Sequence, residues 1–446
     1  MNIQTFKIER LGSDGEGIAY LNKKPVFIYY TLIGEIVEAD LFVNKRGAYE
    51  AKLINIIKKS PLREDVSYKY YMKTGSINLL HLKYFEQIKF KRNVINFLLS
   101  SQIRKETNNT KVNLTIKSPL ELNYRNKTDV PLIYEQNKNH LATYVRGSNN
   151  LIKIDEFIIE DVFLIKAMND FIEVLNKTSF KAYNFKTKKG EIYSISLRCN
   201  LKGNVQLMIN VSKNINLNNL IKELTSINKD IVSIYVNVVN NYENNLDVYN
   251  GKLRKVFGDK YLEMKLNEYF FYLTPLSFFQ LNTRASILLY EEILKQTKFN
   301  KNDLVLDAFS GVGTIASFIS PFVKEVVAIE SIKDATLDME YSLKKNNITN
   351  VKAITGDMSK MTSYLNKTYK FDKVLFDPPR VGLERKVINY LLKSKPKEII
   401  YVSCNPKTLV RDLKLLSKAY NIISITPIDL FPQTSQIESI TILKLK

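Results

Sequence analysis

The sequence predicts an α/β protein with a C-terminal doubly wound domain, a small N-terminal β-barrel and a central α+β domain. The first observation is the regular alternation of strand and helix patterns from about residue 270 onward, which is typical of a mostly parallel sheet with helices on both faces. The second is a series of short strand patterns with glycine turns within residues 1–58, which is typical of a small barrel. The length of 446 residues is enough for about two to four domains.

Composition limits the classes of function. The net charge is +21 and the pI is about 9.5, which indicates either a polyanionic partner such as nucleic acid or lysine-rich solvated surfaces. Two cysteines exclude a disulfide framework and favour a reducing compartment, so we expect a cytoplasmic protein. No long apolar run or signal-peptide pattern is present, and we expect no membrane span. With two histidines, neither a Cys/His zinc site nor a histidine-based triad is expected, so no metal is predicted.

Three domains are predicted from these patterns. The barrel covers residues 1–58, the central α+β domain covers residues 59–265 and the doubly wound domain covers residues 266–446. Part of segment 83–112, which begins with a helical pattern, is expected to pack with the C-terminal domain. Cys199 lies in a predicted central strand and is expected to be a packed core thiol.

The C-terminal domain is predicted from seven strands and the helices between them. Predicted strands are Leu304–Asp307, Glu325–Glu330, Val351–Thr355, Lys373–Asp377, Glu398–Val402, Ile422–Thr426 and Ile437–Leu443. Predicted helices cover about 312–320, 332–345, 358–366, 383–393 and 405–418.

A cofactor crevice is predicted at the carboxyl ends of these strands. Gly311 and Gly313 follow the first strand and allow close approach of a ligand to the backbone. Glu330 ends the next strand, where nucleotide-type folds place a carboxylate on ribose hydroxyls. Asp357 and Asp377 end the third and fourth strands, and Asp307 ends the first, so all four acids are expected to line one crevice. The loop lacks the third glycine of a dinucleotide fingerprint and any Gly-Lys-Ser/Thr, which favours a nucleoside without a pyrophosphate, most commonly S-adenosylmethionine.

Two further segments follow strands of the same predicted sheet. Ser403-Cys404-Asn405-Pro406 places a thiol at a strand end, where it is either a nucleophile or an inert buried cysteine, and position alone leaves both open. Asp377-Pro378-Pro379-Arg380 forms a proline turn related to those of methyltransferases that act on base nitrogens, although such turns also occur as plain structure. Arg380 is either a group that stabilises negative charge or a scaffold residue.

Five motifs together resemble the uracil-C5 RNA methyltransferase family, which makes 5-methyluridine. In chain order they are Ser277-Phe278-Phe279-Gln280-Leu281-Asn282, Asp307 to Gly313, Asp377 to Arg380, Ser403 to Pro406, and Phe431-Pro432-Gln433-Thr434-Ser435-Gln436-Ile437-Glu438. The resemblance covers essentially the whole chain. Residues 1–58 look like a TRAM domain, an OB-like RNA-binding barrel. His81, Tyr84, Gln87 and Lys91, and also Tyr124 to Lys127, resemble further family segments.

The resemblance implies a Rossmann-like S-adenosylmethionine methyltransferase domain and a role for individual residues. It makes Cys404 the nucleophile and Glu438 the proton acceptor, and it places Gln280, Phe309, Glu330 and Asp377 against S-adenosylmethionine. It implies an RNA partner, with the TRAM-like segment favouring large-subunit (23S) ribosomal RNA over transfer RNA, and a monomeric enzyme.

The sequence departs from the family at two places. Many members bind an iron–sulfur cluster through cysteines, but the corresponding stretch here is Thr74-Gly75-Ser76-Ile77. We therefore expect no iron–sulfur cluster. The usual histidine of the last motif is Gln436, which leaves the role of that position open, while Glu438 is retained.

Three other functions compete with this interpretation. A cytosine-C5 RNA methyltransferase uses two cysteines in its catalytic region, whereas residues 266–446 contain only Cys404. A base-nitrogen methyltransferase would need neither Cys404 nor Glu438. A non-catalytic RNA-binding or assembly factor with the same fold would not need the complete set of predicted site residues.

Overall fold

A computed structural model describes residues 2–107, 110–239 and 251–446 of the chain. Segments 108–109 and 240–250, which belong to the predicted central domain, lie outside the described residues.

The N-terminal segment forms a barrel because its sheet closes on itself. Its strands are β1 (Ile3–Lys7), β2 (Arg10–Leu11), β3 (Gly17–Leu21), β4 (Lys24–Ile28), β5 (Ile36–Val43) and β6 (Tyr49–Lys58). The strand order is β1-β5-β6-β4-β3-β2, and the two ends of that order are consecutive in the chain. The Glu9 N–H also donates to the Ile18 carbonyl (3.0 Å), which joins this segment to β3. Alternate residues such as Val26, Val37 and Ala39 fill the interior.

The middle of the chain contains a seven-stranded sheet. The elements of this part of the chain are α1 (Tyr84–Gln102), β7 (Lys111–Val112), β8 (Lys127–Glu135), β9 (Lys138–Tyr144), β10 (Leu151–Lys153), α2 (Val162–Leu175), β11 (Ile192–Cys199), β12 (Val205–Val211), α3 (Asn218–Ile227), β13 (Ile231–Val238) and β14 (Lys252–Gly258). Strands β8 to β14 form the sheet. The sheet order is β10-β9-β8-β11-β12-β13-β14. Helix α2 buries Leu164, Met168 and Phe171 in the same core as Cys199. Cys199 is thus a buried core thiol.

The C-terminal part contains a second sheet of eight strands. Its segment comprises β15 (Leu262–Leu266), β16 (Tyr269–Leu273), α4 (Thr283–Gln296), β17 (Leu304–Ala308), α5 (Thr314–Ile319), β18 (Glu325–Glu330), α6 (Lys333–Lys345), β19 (Val351–Thr355), α7 (Met358–Thr368), β20 (Lys373–Phe376), α8 (Arg385–Ser394), β21 (Glu398–Ser403), α9 (Pro406–Leu416), β22 (Tyr420–Ile428) and β23 (Glu438–Leu445). The sheet order is β19-β18-β17-β20-β21-β23-β22-β7, with β19 to β21 parallel and β23 antiparallel to both neighbours. The predicted fold class is confirmed.

Two earlier segments of the chain also contribute to the C-terminal part. Helix α1 buries Phe90, Ile95 and Leu99 in the core between the sheet and helices α8 and α9, and β7 pairs in parallel with β22. The hairpin β15–β16 crosses the predicted boundary at residues 265–266, and its apolar residues belong to the core on the other face of the sheet. Both segments therefore pack with the sheet that carries the site.

The two large sheets are joined by hydrogen bonds beside the predicted cofactor residues. The Asn126 side chain donates to the Gln280 carbonyl (2.9 Å), and the buried Arg198 guanidinium donates to the Ser277 carbonyl (2.5 Å). The segment that contains Gln280 is thus supported by the central part of the chain. Among the described residues, no helix is long and apolar enough to cross a membrane.

Candidate active site

A cavity of about 610 Å³ lies at the carboxyl ends of the parallel strands of the C-terminal sheet. The chain order of the strands reverses between β17 and β20, and open α/β sheets bind their ligands beyond the strand ends at such a point. The lining includes residues at or just after the ends of four adjacent strands, namely Phe309, Glu330, Asp377 and Cys404. The fold therefore brings the predicted nucleophile into one cavity with the predicted cofactor residues other than Gly313.

Glu330 connects two of these turns. Its carboxylate accepts hydrogen bonds from the backbone N–H groups of Gly311 (2.9 Å) and Ile332 (2.8 Å), and the residue is only 9% exposed. A carboxylate has about four acceptor positions, so acceptor capacity remains toward the cavity. Glu330 is thus placed to receive hydroxyl groups of a ribose.

The turn after β17 has an unusual backbone. Phe309 has a φ of 66°, in the left-handed region that residues with a side chain rarely adopt, and it lines the cavity. Gly311 also has a positive φ of 56°, while an added Cβ there would meet only the Phe278 carbonyl oxygen at 3.9 Å. Glycine is therefore favoured at position 311 by backbone conformation and not by lack of space. Strained backbone of this kind is concentrated at ligand sites.

Gln280 and Asp377 form a pair inside the cavity. The Gln280 side-chain amide donates to an Asp377 carboxylate oxygen (3.2 Å). Burial raises the pKa of Asp377, and the hydrogen bond from Gln280 opposes that rise. This pair presents a carboxylate and an amide to a ligand.

Of three other residues predicted at this crevice, Asp357 lines the cavity, whereas Gly313 and Asp307 do not. Asp357 lines the cavity but also caps α7, because its carboxylate accepts from the Ser359 N–H (2.8 Å). Gly313 does not line the cavity. An added Cβ there would lie 2.6 Å from Met339 Cγ, so the lack of a side chain at position 313 allows α5 to pack against α6. Asp307 does not line the cavity either; it is buried, and burial raises its pKa well above the usual value.

The register of β21 and β23 brings Cys404 close to Glu438. Ser403 lies opposite Ser439 in this antiparallel pair, so the next position along the register is Cys404 beside Glu438. Residues opposite each other have Cβ atoms about 4.5–5.5 Å apart on the same face of a sheet. Both side chains line the cavity. The thiol and the carboxylate thus face the same space although 34 positions separate 404 from 438 in the chain.

The acidic surroundings oppose ionisation of the thiol. Burial, followed by the negative charges of Glu438 and Asp377, raises the pKa of Cys404 to about 12, while Arg380 opposes the rise. Burial and the charge of Asp377 also raise the pKa of Glu438 well above its usual value. One Glu438 oxygen, Oε1, has no hydrogen-bond partner among the described residues. The free protein thus holds Cys404 as a neutral thiol at neutral pH.

We expect Cys404 to be alkylated slowly by iodoacetamide at neutral pH, because the thiolate is the reactive form. Its rate should rise by about tenfold per pH unit up to about pH 9, as expected for a thiol titrated far below its pKa. At about pH 9, Glu438→Gln should increase the rate because it removes a neighbouring negative charge, and Arg380→Gln should decrease it. The measurement is a time course of labelling by mass spectrometry in a Cys199→Ala background. A rate that levels off at neutral pH would contradict this electrostatic account.

Arg380 and Gln436 are both exposed at the cavity. The Arg380 carbonyl accepts hydrogen bonds from the Asn405 side chain (2.9 Å) and the Thr408 hydroxyl (3.2 Å), which ties the proline turn to the turn that holds Cys404. The guanidinium supplies positive charge near the thiol. The functions of these two side chains stay predictions.

Three aromatic residues of the cavity, Phe278, Phe279 and Phe431, are absent from the predicted site. Phe278 is 56% exposed and lines the cavity, as does Phe431. Both lie in segments that the sequence analysis singled out, Phe278 two positions before Gln280 and Phe431 at the start of the segment that ends at Glu438. Their place in motifs that also contain a predicted site residue is the sequence signal that could have identified them.

The segment in place of the family's cluster cysteines has its own polar contacts. The Thr74 carbonyl accepts a hydrogen bond from the Tyr30 hydroxyl (2.9 Å), and the Thr74 and Ser76 hydroxyls lie 3.3 Å apart. In the part of the chain that the structure describes, no group of three or more His, Cys, Asp or Glu side chains is arranged to hold a metal ion. The absence of an iron–sulfur cluster stays a prediction.

Comparison with known proteins identifies the family of the chain. Residues 83–446 match the tRNA (Uracil-5-)-methyltransferase family, and residues 2–54 match the TRAM domain. An uncharacterized RNA methyltransferase of Lactobacillus johnsonii is 33% identical over 442 residues, which are 98% of this chain and 96% of the relative. Another, of Fusobacterium nucleatum, is 31% identical over 450 residues, which are 100% of this chain and 96% of the relative.

A solved structure has the same fold over nearly the whole length. It is Pyrococcus abyssi tRNA (uracil-54, C5)-methyltransferase in complex with S-adenosyl-L-homocysteine, with a TM-score of 0.80 and 24% identity, covering 98% of this chain and 99% of that one. Fold, sequence and cavity agree on an RNA methyltransferase that uses S-adenosylmethionine. The chain belongs to the tRNA (uracil-5-)-methyltransferase family.

Proposed function

We propose that the enzyme methylates C5 of specific uridines in large-subunit (23S) ribosomal RNA, with Cys404 as the nucleophile and Glu438 as the proton acceptor. The observation that supports this most strongly is the pairing of these two side chains across β21 and β23, in the cavity that also contains Asp377 and Gln280. A base-nitrogen methyltransferase needs neither a thiol nor a second base at this place. A non-catalytic factor would not need the complete set.

The part of the cavity that contains Gln280, Phe309, Glu330 and Asp377 fits a cationic nucleoside. We propose that Glu330 binds the ribose, and that Gln280, Phe309 and Asp377 contact the rest of the cofactor. The carboxylates are the reason that a cationic ligand fits this part of the cavity. Burial raises the pKa of Asp377, and a cation bound nearby would stabilise the charged form of its carboxylate. Gly311 and Asp357 line the same part of the cavity, and we propose that Asp357 also contacts the cofactor. S-adenosylmethionine supplies an electrophilic methyl group on a positively charged sulfur.

The thiol activates the base by covalent addition. Uracil C5 is too weak a nucleophile to accept a methyl group directly. Addition of Cys404 Sγ to C6 forms a carbon–sulfur bond and moves the electrons of the C5–C6 double bond toward O4, which makes C5 an enolate carbon. Since Cys404 has a raised pKa, its proton must pass to uracil O4 or to solvent as this bond forms, and Arg380 is the nearby cation that opposes the rise. C5 would then form a bond to the methyl group of the bound cofactor, whose sulfur–methyl bond would break with its electrons remaining on the sulfur.

Glu438 completes the reaction by removing the proton that remains on C5. The electrons of that C–H bond re-form the C5–C6 double bond, and the C6–sulfur bond breaks with its electrons on Sγ. The proton acceptor must be ionised at this step. Burial and the charge of Asp377 raise the pKa of Glu438, which opposes the ionised form but makes that form, once present, a stronger base. The products are a 5-methyluracil base and a free thiolate, which regains a proton.

The RNA must present an unstacked uracil, because a stacked base cannot place C6 against a thiol in a cavity. We propose that the barrel of residues 1–58 and the central domain of residues 59–265 contact RNA phosphates, and that residues 266–446 carry out the chemistry. The TRAM match and the net charge of +21 support this proposal. We further propose a monomeric, cytoplasmic enzyme; the two cysteines are unpaired, as expected in a reducing compartment.

Transfer RNA is the second candidate substrate, because the Pyrococcus abyssi protein of the same fold is described as a tRNA enzyme. We expect that deletion of the gene removes 5-methyluridine at one or more sites of 23S ribosomal RNA, and that the wild-type gene restores it. The measurement is nuclease mapping with mass spectrometry on separated ribosomal and transfer RNA. Loss confined to transfer RNA would replace the substrate in this proposal, and unchanged 5-methyluridine in both fractions would contradict the proposed activity.

A further inference from the structure

Glu438 is the first residue of β23, and the loop before it has an unusual set of supports. Residues 429–437, here named the Glu438 loop, connect β22 to β23, and Phe431 and Gln436 of this loop line the cavity. One wall of the cavity and the backbone of the proposed proton acceptor therefore depend on this loop.

Four consecutive carbonyl groups of the Glu438 loop accept hydrogen bonds from distant parts of the chain. The pairs are Leu430 with the Asn282 side chain (3.0 Å), Phe431 with Lys91 Nζ (2.9 Å), Pro432 with the Tyr124 hydroxyl (3.0 Å) and Gln433 with the Leu79 N–H (3.0 Å). Three of these four donors come from residues 79–124. The shape of the loop is thus imposed from outside the C-terminal sheet.

Gln433 is the most constrained residue of the loop. It has a φ of 66° in the left-handed region, and it is buried. Its N–H donates to Gln87 Oε1 (2.9 Å), while Gln87 Nε2 donates to its side-chain oxygen (2.7 Å). A residue with a side chain keeps this conformation only where its surroundings determine it. Gln87, on α1, supplies two of those constraints.

Gln87 is itself held in place. It is 1% exposed, and its amide also lies within hydrogen-bond distance of the carbonyls of Leu82 (2.8 Å) and Leu79 (3.2 Å). Four residues further along α1, Lys91 forms an ion pair of 2.5 Å with Asp429, and both side chains are fully buried. One helix thus fixes both the start and the middle of the Glu438 loop.

We propose that Gln87 is a positioning residue, which fixes the backbone at Gln433 so that Glu438 faces C5 of the bound uracil. This inference rests on the proposed function. Glu438 Oε1 has no hydrogen-bond partner in the described part of the chain, and the carboxylate has a hydrogen bond from the backbone of Ser439 on the same strand, so the loop and the sheet register determine where the carboxylate lies. Cys404 lies in a different turn, after β21. Loss of Gln87 should therefore impair removal of the C5 proton more than addition of the thiol.

Gln87→Met tests this assignment, because methionine has a similar volume but cannot make the hydrogen bonds. We expect adduct formation on RNA that contains 5-fluorouridine to stay within about threefold of the wild-type rate, since that step does not use Glu438. On ordinary uridine RNA we expect turnover to fall by about tenfold or more, with accumulation of a protein–RNA adduct that resists denaturation. The measurements are single-turnover kinetics and gel analysis of the adduct.

Thr115→Val is the matched control, because the Thr115 hydroxyl donates to the Ile88 carbonyl on the same helix (2.9 Å) and not to the Glu438 loop. It should lower stability without accumulation of the adduct. Equal losses of adduct formation and turnover in Gln87→Met, or turnover equal to that of the control, would overturn the inference. If Gln87→Met does not fold, Gln433→Gly tests the same contact, because glycine keeps the positive φ and removes the side-chain bond. Failure of wild-type protein to form the 5-fluorouridine adduct would instead contradict the proposed function.

Discussion

Cys404→Ala is expected to lower the rate of 5-methyluridine formation by about 10⁴-fold or more, because removal of a covalent nucleophile leaves only binding and orientation to promote the reaction. Without the thiol, C5 of uracil has no route to the enolate form. None of the proposed cofactor residues lies in the turn after β21 that contains Cys404, so S-adenosylmethionine should bind to the variant with nearly unchanged affinity. The measurements are transfer of a labelled methyl group to RNA and calorimetric binding of the cofactor.

Cys199→Ala is the control for this substitution. Cys199 lies in the core of the central sheet at 1% exposure, and it is not among the residues that line the cavity. Its replacement should affect stability but leave the rate of methylation within about twofold, since it makes no contact with the reacting atoms. Methylation by Cys404→Ala at a rate close to wild type would show that the reaction does not use this thiol.

Glu438→Gln is expected to separate the two halves of the reaction. The amide cannot accept the C5 proton, so turnover should fall by about 10²–10⁴-fold, the usual contribution of a general base. Addition of the thiol and transfer of the methyl group should still occur, since they do not require Glu438 as a base. We expect the methylated RNA to remain attached to Cys404 after denaturation, and gel analysis with a labelled methyl group measures this species.

Glu384→Gln is the matched control, because Glu384 also lines the cavity but is exposed and makes no side-chain cap at the start of α8. It should turn over at nearly the wild-type rate with no retained RNA. Full turnover by Glu438→Gln would refute the role of Glu438. Loss of both adduct and product would place Glu438 at an earlier step than proton removal.

The sequence was sufficient to predict which side chains lie at the strand ends beside the cavity. Strand patterns fixed where Glu330, Asp377 and Cys404 leave the sheet, and parallel strands place their carboxyl ends at one edge. Glu438 was assigned through the family resemblance, and the structure adds the physical reason, because the register of β21 and β23 sets it beside Cys404.

Close packing between distant segments was not predictable from local patterns. The Gln87–Gln433 contact joins residues 346 positions apart, and no periodicity in either segment indicates it. Strand β7 has only two residues, too few for an alternating pattern, and it is defined by pairing with β22. Gly313 matches a ligand-binding turn in sequence, yet its missing side chain makes room for Met339. These features depend on tertiary neighbours.

The site also shows how a strongly basic protein keeps an acidic reaction centre. The net charge of the chain is +21, while the cavity is lined by five carboxylates, with Arg380 as the nearby cation: Glu330, Asp357, Asp377, Glu384 and Glu438. Basic charge outside the cavity attracts RNA over a distance of about one Debye length, whereas the carboxylates act within the cavity. We therefore propose that the two charge distributions serve different ligands.

The most direct test of the account is peptide mapping of wild-type enzyme incubated with S-adenosylmethionine and target RNA that contains 5-fluorouridine. The last step removes the hydrogen at C5 as a proton, and a base cannot remove a fluorine atom in the same way. The last step is therefore blocked, and the covalent intermediate should persist. The account predicts a denaturation-resistant complex with the mass of enzyme, RNA and one methyl group, with RNA attached to the peptide that contains Cys404. Absence of this complex while ordinary uridine RNA is methylated at C5, or attachment at any other residue, would contradict it.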